Sequence, residues 1–146
     1  MKYKLKVKLE PDAHMPFRAH DGDAGLDLCS MRDVYLGPCC RASGCATVST
    51  GVSVEIPEGY VGFLIPRSSL AKRHVALENS VGVIDSGYRG EIHLQLHNLM
   101  ERPVCVPKGE RICQLVVVPF VSCDPVEVEE LSDSERGENG LGSSGR

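Results

Sequence analysis

Ile92-His93-Leu94-Gln95-Leu96-His97, with Glu91 before it and Asn98 after it, alternates apolar and polar residues without a break. A period of two puts every second side chain on one face, so the stretch reads as a half-buried strand. The pattern recurs at a distance. Val52, Val54 and Ile56 alternate with Ser53 and Glu55, and Leu5, Val7 and Leu9 alternate with Lys4, Lys6 and Lys8. Ile112 to Phe120 is almost continuously apolar, which predicts a strand covered on both faces, by the core or by another subunit. Pro57-Glu58-Gly59 predicts a turn, and with it a hairpin. With 9 prolines and 15 glycines punctuating short runs, the chain reads as an all-β sandwich or barrel. One helix of about two turns is predicted from Ser69 to Leu77, with a serine as its cap.

A length of 146 residues suits one domain with a real core. No apolar run is long enough to span a membrane, and Met1 to Glu10 lacks the apolar core of a signal peptide. A cytoplasmic protein is the expectation. The 7 cysteines include no CxxC pair, so reduced thiols used as small apolar residues are expected, not disulfides. A zinc site from Cys39, Cys40 and Cys45 is disfavoured, because adjacent cysteines chelate poorly. His93 and His97 lie on one face of a strand about 13 Å apart, too far to share a metal. The net charge is −4, but residues 124–146 hold 7 acids and 2 arginines, leaving the body nearly neutral. No basic stripe follows a nucleic-acid backbone. Neither a nucleic-acid nor a membrane partner is expected, and an anionic small molecule would need local groups to hold it.

Several segments offer such groups. In GVIDSGYRGEI, Gly82 to Ile92, Asp85 follows Val83-Ile84 and lies between glycines. An Asp so placed is commonly a turn residue. The glycines also let a ligand approach the backbone, and the carboxylate could act as general base on a water. Tyr88 could stack on a ring. PRSSLA, Pro66 to Ala71, puts Arg67, Ser68 and Ser69 at a helix start, a combination suited to phosphate oxygens or simply a capped helix with a surface cation. Asp27 in AGLDL and Gln114 in GERICQLVV are polar residues in apolar settings and need partners. Asp27 could pair with Arg111, and Gln114 with neighbouring backbone. The tail RGENGLGSSGR, Arg136 to Arg146, reads as disordered by composition, or as a glycine-rich arm able to wrap an anion.

Taken in order, AGLDL, PRSSLA, ENSVGVIDSGYRGEI, GERICQLVV and RGENGLGSSG resemble the five motifs of the trimeric dUTPases, from about Ala19 to Gly145. The resemblance implies a distorted jelly-roll-like β-barrel with one short helix, assembled as a homotrimer with shared active sites. It implies a barrel over 1–123 and a flexible closing arm over 124–146. The implied reaction is hydrolysis of dUTP to dUMP and pyrophosphate with Mg2+. Asp85 would activate the water, and Tyr88 would pack on deoxyribose and exclude a 2′-hydroxyl. Asn79 and the backbone at Gly82, Val83 and Ile84 would read uracil, with His93 bordering that pocket. Arg67, Ser68, Ser69 and Gln114 would bind phosphates, and Asp27 would support either the Mg2+, indirectly through water, or a neighbouring motif. Arg136, Leu141, Gly142 and Ser143 would belong to the closing arm. The arm departs from the family's Arg-Gly-x-Gly-Gly-Phe-Gly-Ser-Thr-Gly: Asn139 replaces a Gly and Leu141 replaces the Phe, forfeiting roughly 0.5–1.5 kcal/mol of ring-on-ring stacking. Two rivals remain in view. A deaminase of dCTP has a Leu-Glu pattern where this chain has Leu94-Gln95. A nucleotide sensor without turnover would retain the fold alone.

Overall fold

The computed structural model describes residues 3–135 and 137–138. Among the described residues, ten strands, one short α-helix and a single 3-10 turn follow one another: β1 Lys6–Leu9, β2 Leu26–Cys29, β3 Val34–Leu36, the 3-10 turn Ala42–Gly44, β4 Cys45–Glu55, β5 Tyr60–Pro66, α1 Ser68–Lys72, β6 Val75–Leu77, β7 Gly82–Ile84, β8 Glu91–Asn98, β9 Val104–Val106 and β10 Arg111–Pro119. One sheet runs β1-β4-β8-β6, a second β2-β10-β5-β7, and β3-β9 forms a small ribbon. Every pairing is antiparallel. The two larger sheets share one apolar core. Val48, Val52 and Val54 of β4 and Ile92, Leu94 and Leu96 of β8 meet Leu28, Leu64, Ile84, Ile112 and Leu115 there. The alternation at β8 is realised residue for residue, with Ile92, Leu94 and Leu96 buried and His93 and Gln95 exposed. Strand β10 is central, between β2 and β5, so its apolar run is covered first by neighbours in its own sheet. Val116, Val117 and Val118 remain half-buried in the single chain.

Two local expectations change. The turn at Pro57–Gly59 forms, with Tyr60 N–H donating to Pro57 C=O and Gly59 at φ +80°. It does not close a hairpin: β4 and β5 go to different sheets, because each carries an apolar face that the other sheet covers. The helix begins at Ser68 and ends at Lys72, with Arg67 at the N-cap position and no side-chain cap. His74 then turns to φ +55°, and Val75–Leu77 pairs with β8 instead of continuing the helix. Of the cysteines, Cys29 and Cys113 are buried, whereas Cys40, Cys45 and Cys123 are exposed, and none is bonded to another.

The β4–β8 ladder contains a bulge. Ser49 pairs with His93 and Ser53 with Glu91, so Thr50, Gly51 and Val52 together face Ile92. Gly51 adopts φ +66°, and a Cβ there would lie 2.6 Å from Met31 Sδ and 2.7 Å from Ala13 Cβ. The Glu91 carboxylate closes the bulge, accepting from the Ser49 hydroxyl and, at 2.6 Å, from the Gly51 N–H. Burial pushes the Glu91 carboxyl up, but these donors outweigh it and hold the group below its ordinary range. Beyond Pro119 the described residues carry no helix or strand, and Val121, Val126 and Leu131 are 84%, 78% and 88% exposed.

Gly51→Ala should destabilise the fold by about 1–3 kcal/mol, through an L-residue held at positive φ against two side chains. Urea unfolding measures this; an unchanged midpoint would show that the bulge tolerates a side chain.

Candidate active site

Three strands meet at Asp27. It lies on β2 directly opposite Gln114 of β10, which faces Ile65 of β5 on its other side. Arg67 follows β5 at once and turns into the same spot. Arg67 Nη1 meets Asp27 Oδ1 as an ion pair and, though buried, makes no aligned hydrogen bond. Gln114 Nε2 donates to Asp27 Oδ1 at 3.1 Å, and Arg111 Nη1 donates to Asp27 Oδ2 at 3.0 Å. Arg111 would face away from Gln114 in a regular strand. A register shift between Arg111 and Cys113 inserts one residue and brings it to Asp27's side. Gly25 leaves the space that Gln114 fills, since a Cβ there would sit 2.8 Å from Gln114 Cβ.

The Asp27 side chain is only 1% exposed. Burial alone would push its carboxyl up, but Arg67, Gln114 and Arg111 more than offset this and hold it below the ordinary carboxylate value. The pairing with Arg111 expected from sequence is present. Gln114 bonds the Asp27 side chain, not backbone. Phe17, which sequence reading passed over, bridges Asp27 through its backbone and carries its ring 6.0 Å from the Arg111 guanidinium carbon. Only its nearness to AGLDL marked it.

A second group of residues lies on β7 and the turn after it. Gly82 and Ile84 are buried, and Val83 is exposed between them. Asp85 is exposed; its C=O accepts from Tyr88 N–H at 3.0 Å, and its carboxylate has no hydrogen bond among the described residues. Tyr88 Oη donates to Glu91 C=O at 2.9 Å, and the phenol occupies the space a Cβ at Gly90 would need. Asn79 lies in the exposed turn before β7, its C=O accepting from Val81 N–H. His93 is on the outer face of β8, with Nδ1 3.0 Å from Glu91 C=O. Ser68 and Ser69 are exposed on the first turn of α1, next to Arg67.

These groups are not gathered at one point of the single chain. The β5–β7 register pairs Gly62 with Ile84 and Leu64 with Gly82. Extended by one residue it sets Asp85 opposite Val61, six residues and about 20 Å along β5 from Arg67. Arg67, Asp27 and Gln114 mark one end; Asp85 and Tyr88 mark the other. Arg136, Leu141, Gly142 and Ser143 lie outside the described residues.

Among the described residues, no carboxylate cage for Mg2+ surrounds this cluster. Both Asp27 oxygens are engaged by cations and an amide, and the side chain is closed to solvent, so it does not suit a metal ligand, direct or through water. A Mg2+ ion near this cluster would have to be held chiefly by oxygens other than those of Asp27.

Asp27→Asn should cost about 2–4 kcal/mol at neutral pH, less than a wholly buried pair because both arginines keep some exposure. The native carboxyl titrates below its unfolded value, so its contribution is present above the ordinary carboxylate range and fades as pH falls through the native titration. Denaturant unfolding from neutral to acid pH should show wild type and variant converging; a constant gap would exclude this linkage.

The sequence model of the dUTPase family matches residues 11–145. The chain is 52% identical over 137 residues to the deoxyuridine 5′-triphosphate nucleotidohydrolase of Cutibacterium acnes, covering 92% of this chain and 87% of that protein. It is 47% identical over 140 residues to the enzyme of the same name from Thermobifida fusca, covering 94% and 76%. Its fold is similar to the solved Staphylococcus bacteriophage 80alpha dUTPase with dUPNHPP, with TM-score 0.88, 36% identity and coverage of 99% and 100%. A mutant dUTPase of phage phi11 of S. aureus, solved for the coordination of a structural Mg(II) ion, superposes with TM-score 0.78 at 31% identity, covering 88% and 98%. Five ordered motifs, a shared all-β architecture and a match over nearly the whole length lead to one conclusion: the chain belongs to the dUTPase family.

Proposed function

We infer that this chain hydrolyses dUTP to dUMP and pyrophosphate, removing dUTP from the nucleotide pool and supplying dUMP for dTMP synthesis. The observation that carries the site assignment is Asp85, an exposed carboxylate without a hydrogen-bond partner among the described residues, held at the end of an edge strand. Strand β7 is last in its sheet, so one side of its backbone is free to pair. That edge, at Gly82, Val83 and Ile84 with Asn79 beside it, offers the fixed donors and acceptors that a uracil edge needs. Cytosine reverses two of those positions and would leave unpaired groups costing about 1–3 kcal/mol each. Tyr88, its ring set by the bond to Glu91, packs against deoxyribose and leaves no space for a 2′-hydroxyl. His93 borders the same pocket.

In the reaction, Asp85 takes a proton from water as the water oxygen bonds the α-phosphorus. The α–β bridging bond breaks and pyrophosphate leaves. Arg67, held by Asp27, neutralises phosphate charge together with Ser68, Ser69 and Gln114, and the arm with Arg136, Leu141, Gly142 and Ser143 closes above. Mg2+, when bound, supplies further charge neutralisation on the triphosphate. The distance between Asp85 and the Arg67 cluster, and the exposed apolar tail, support a site assembled from several copies in a homotrimer.

Asp85→Asn should bind dUTP normally but turn over roughly 10²–10⁴-fold more slowly. Pyrophosphate release and equilibrium binding test this together, and near-normal turnover removes Asp85 from the base role. Gly90→Ala should evict the Tyr88 phenol and narrow the preference for dUTP over UTP, read from the ratio of kcat/KM values. An unchanged ratio would disconnect Tyr88 from sugar selection. Pyrophosphate from dUTP, without ammonia from dCTP, separates hydrolysis from deamination.

A further inference from the structure

Beside Asn79, but built from side chains to which the reaction assigns no role, the first sheet brings together a second chemistry. Cys45 of β4 and His97 of β8 are directly paired across the ladder. Glu78 follows β6, the next strand over, and its N–H bonds Gln95 C=O of β8. Glu78 Oε2 lies 3.5 Å from Cys45 Sγ and 3.2 Å from His97 Nδ1. All three ligand atoms fall within 4.8 Å of one another. Zinc bonds of 2.0–2.3 Å in tetrahedral geometry require ligand atoms about 3.3–3.8 Å apart, so the triad needs only small adjustments. Cys45 and Glu78 are exposed, which gives an ion access.

We propose that Cys45, Glu78 and His97 form a binding site for a borderline-soft divalent transition metal ion, Zn2+ by its ligand chemistry, with the fourth position left to water. A thiolate, a carboxylate and a neutral imidazole bring two negative charges, which balance the ion. On binding, the metal–sulfur bond replaces the thiol S–H, and that proton goes to solvent. Without metal the thiol donates to Glu78, and partial desolvation, followed by that carboxylate, pushes its pKa up. The ion takes the place of this proton. Because Cys45 and His97 lie on neighbouring strands and Glu78 directly follows β6, the site would clip β4, β8 and the end of β6 together.

The test uses the reduced, untagged, chelator-stripped full chain and Co2+ as a spectroscopic probe. The expected result is one equivalent of Co2+ per chain with a thiolate-to-cobalt charge-transfer band, displaced by Zn2+, and a Tm raised by Zn2+. Cys45→Ser and His97→Gln should each abolish the band and the Tm rise while retaining dUTP hydrolysis with Mg2+, which shows that they fold. A Cys39→Ser, Cys40→Ser double variant should keep both. Absence of the band from the wild type, its persistence in Cys45→Ser, or its loss only in the Cys39/Cys40 variant overturns the proposal.

Discussion

The ionised carboxylate of Asp27 can remain shielded from solvent only because two guanidinium groups and an amide close on it. Much of the surrounding architecture follows from that requirement. Strands β2 and β10 must pair in the register that sets Asp27 against Gln114. β10 must carry an extra residue so that Arg111 arrives on the correct face, and β5 must end where Arg67 can turn inward. Gly25 must lack a side chain. The same cluster holds Arg67, the cation of PRSSLA, leaving Ser68 and Ser69 exposed beside it. A charge buried for structural reasons thus fixes the posture of a residue assigned to phosphate.

The opposite end of the β5–β7 ladder follows a different logic. Asp85 and Tyr88 follow an edge strand, one side of which pairs with β5 while the other has no strand neighbour among the described residues, and both side chains are exposed. One end is rigid and saturated, the other open and poised. The two groups thus sit in opposite physical environments at the two ends of one ladder.

What was legible in the sequence was whatever depends on local pattern. The alternation from Ile92 to His97 specifies a strand because each side chain's face is set by its immediate neighbours. The Ser69 to Leu77 stretch misleads, since three residues of strand at Val75–Leu77 have apolar spacing that also fits a helix. Pairing with β8, decided far along the chain, settles it. Pro57–Gly59 encodes a reversal but not which sheet receives the returning strand. Asp27 and Arg111 could be matched by charge alone, whereas the distance from Asp85 to Arg67 needed the ladder register. Cys45, Glu78 and His97 share no motif spacing, and only the β4-β8-β6 order brings them side by side.

The extended segment after β10 has a thermodynamic consequence. Val121, Val126 and Leu131 gain nothing from the folding of their own chain, because they remain in water when it is complete. Their hydrophobic free energy is released only when another surface covers them. For a chain that associates through this segment, unfolding and dissociation become one equilibrium, and mass action enters the stability. Dilution then acts as a denaturant.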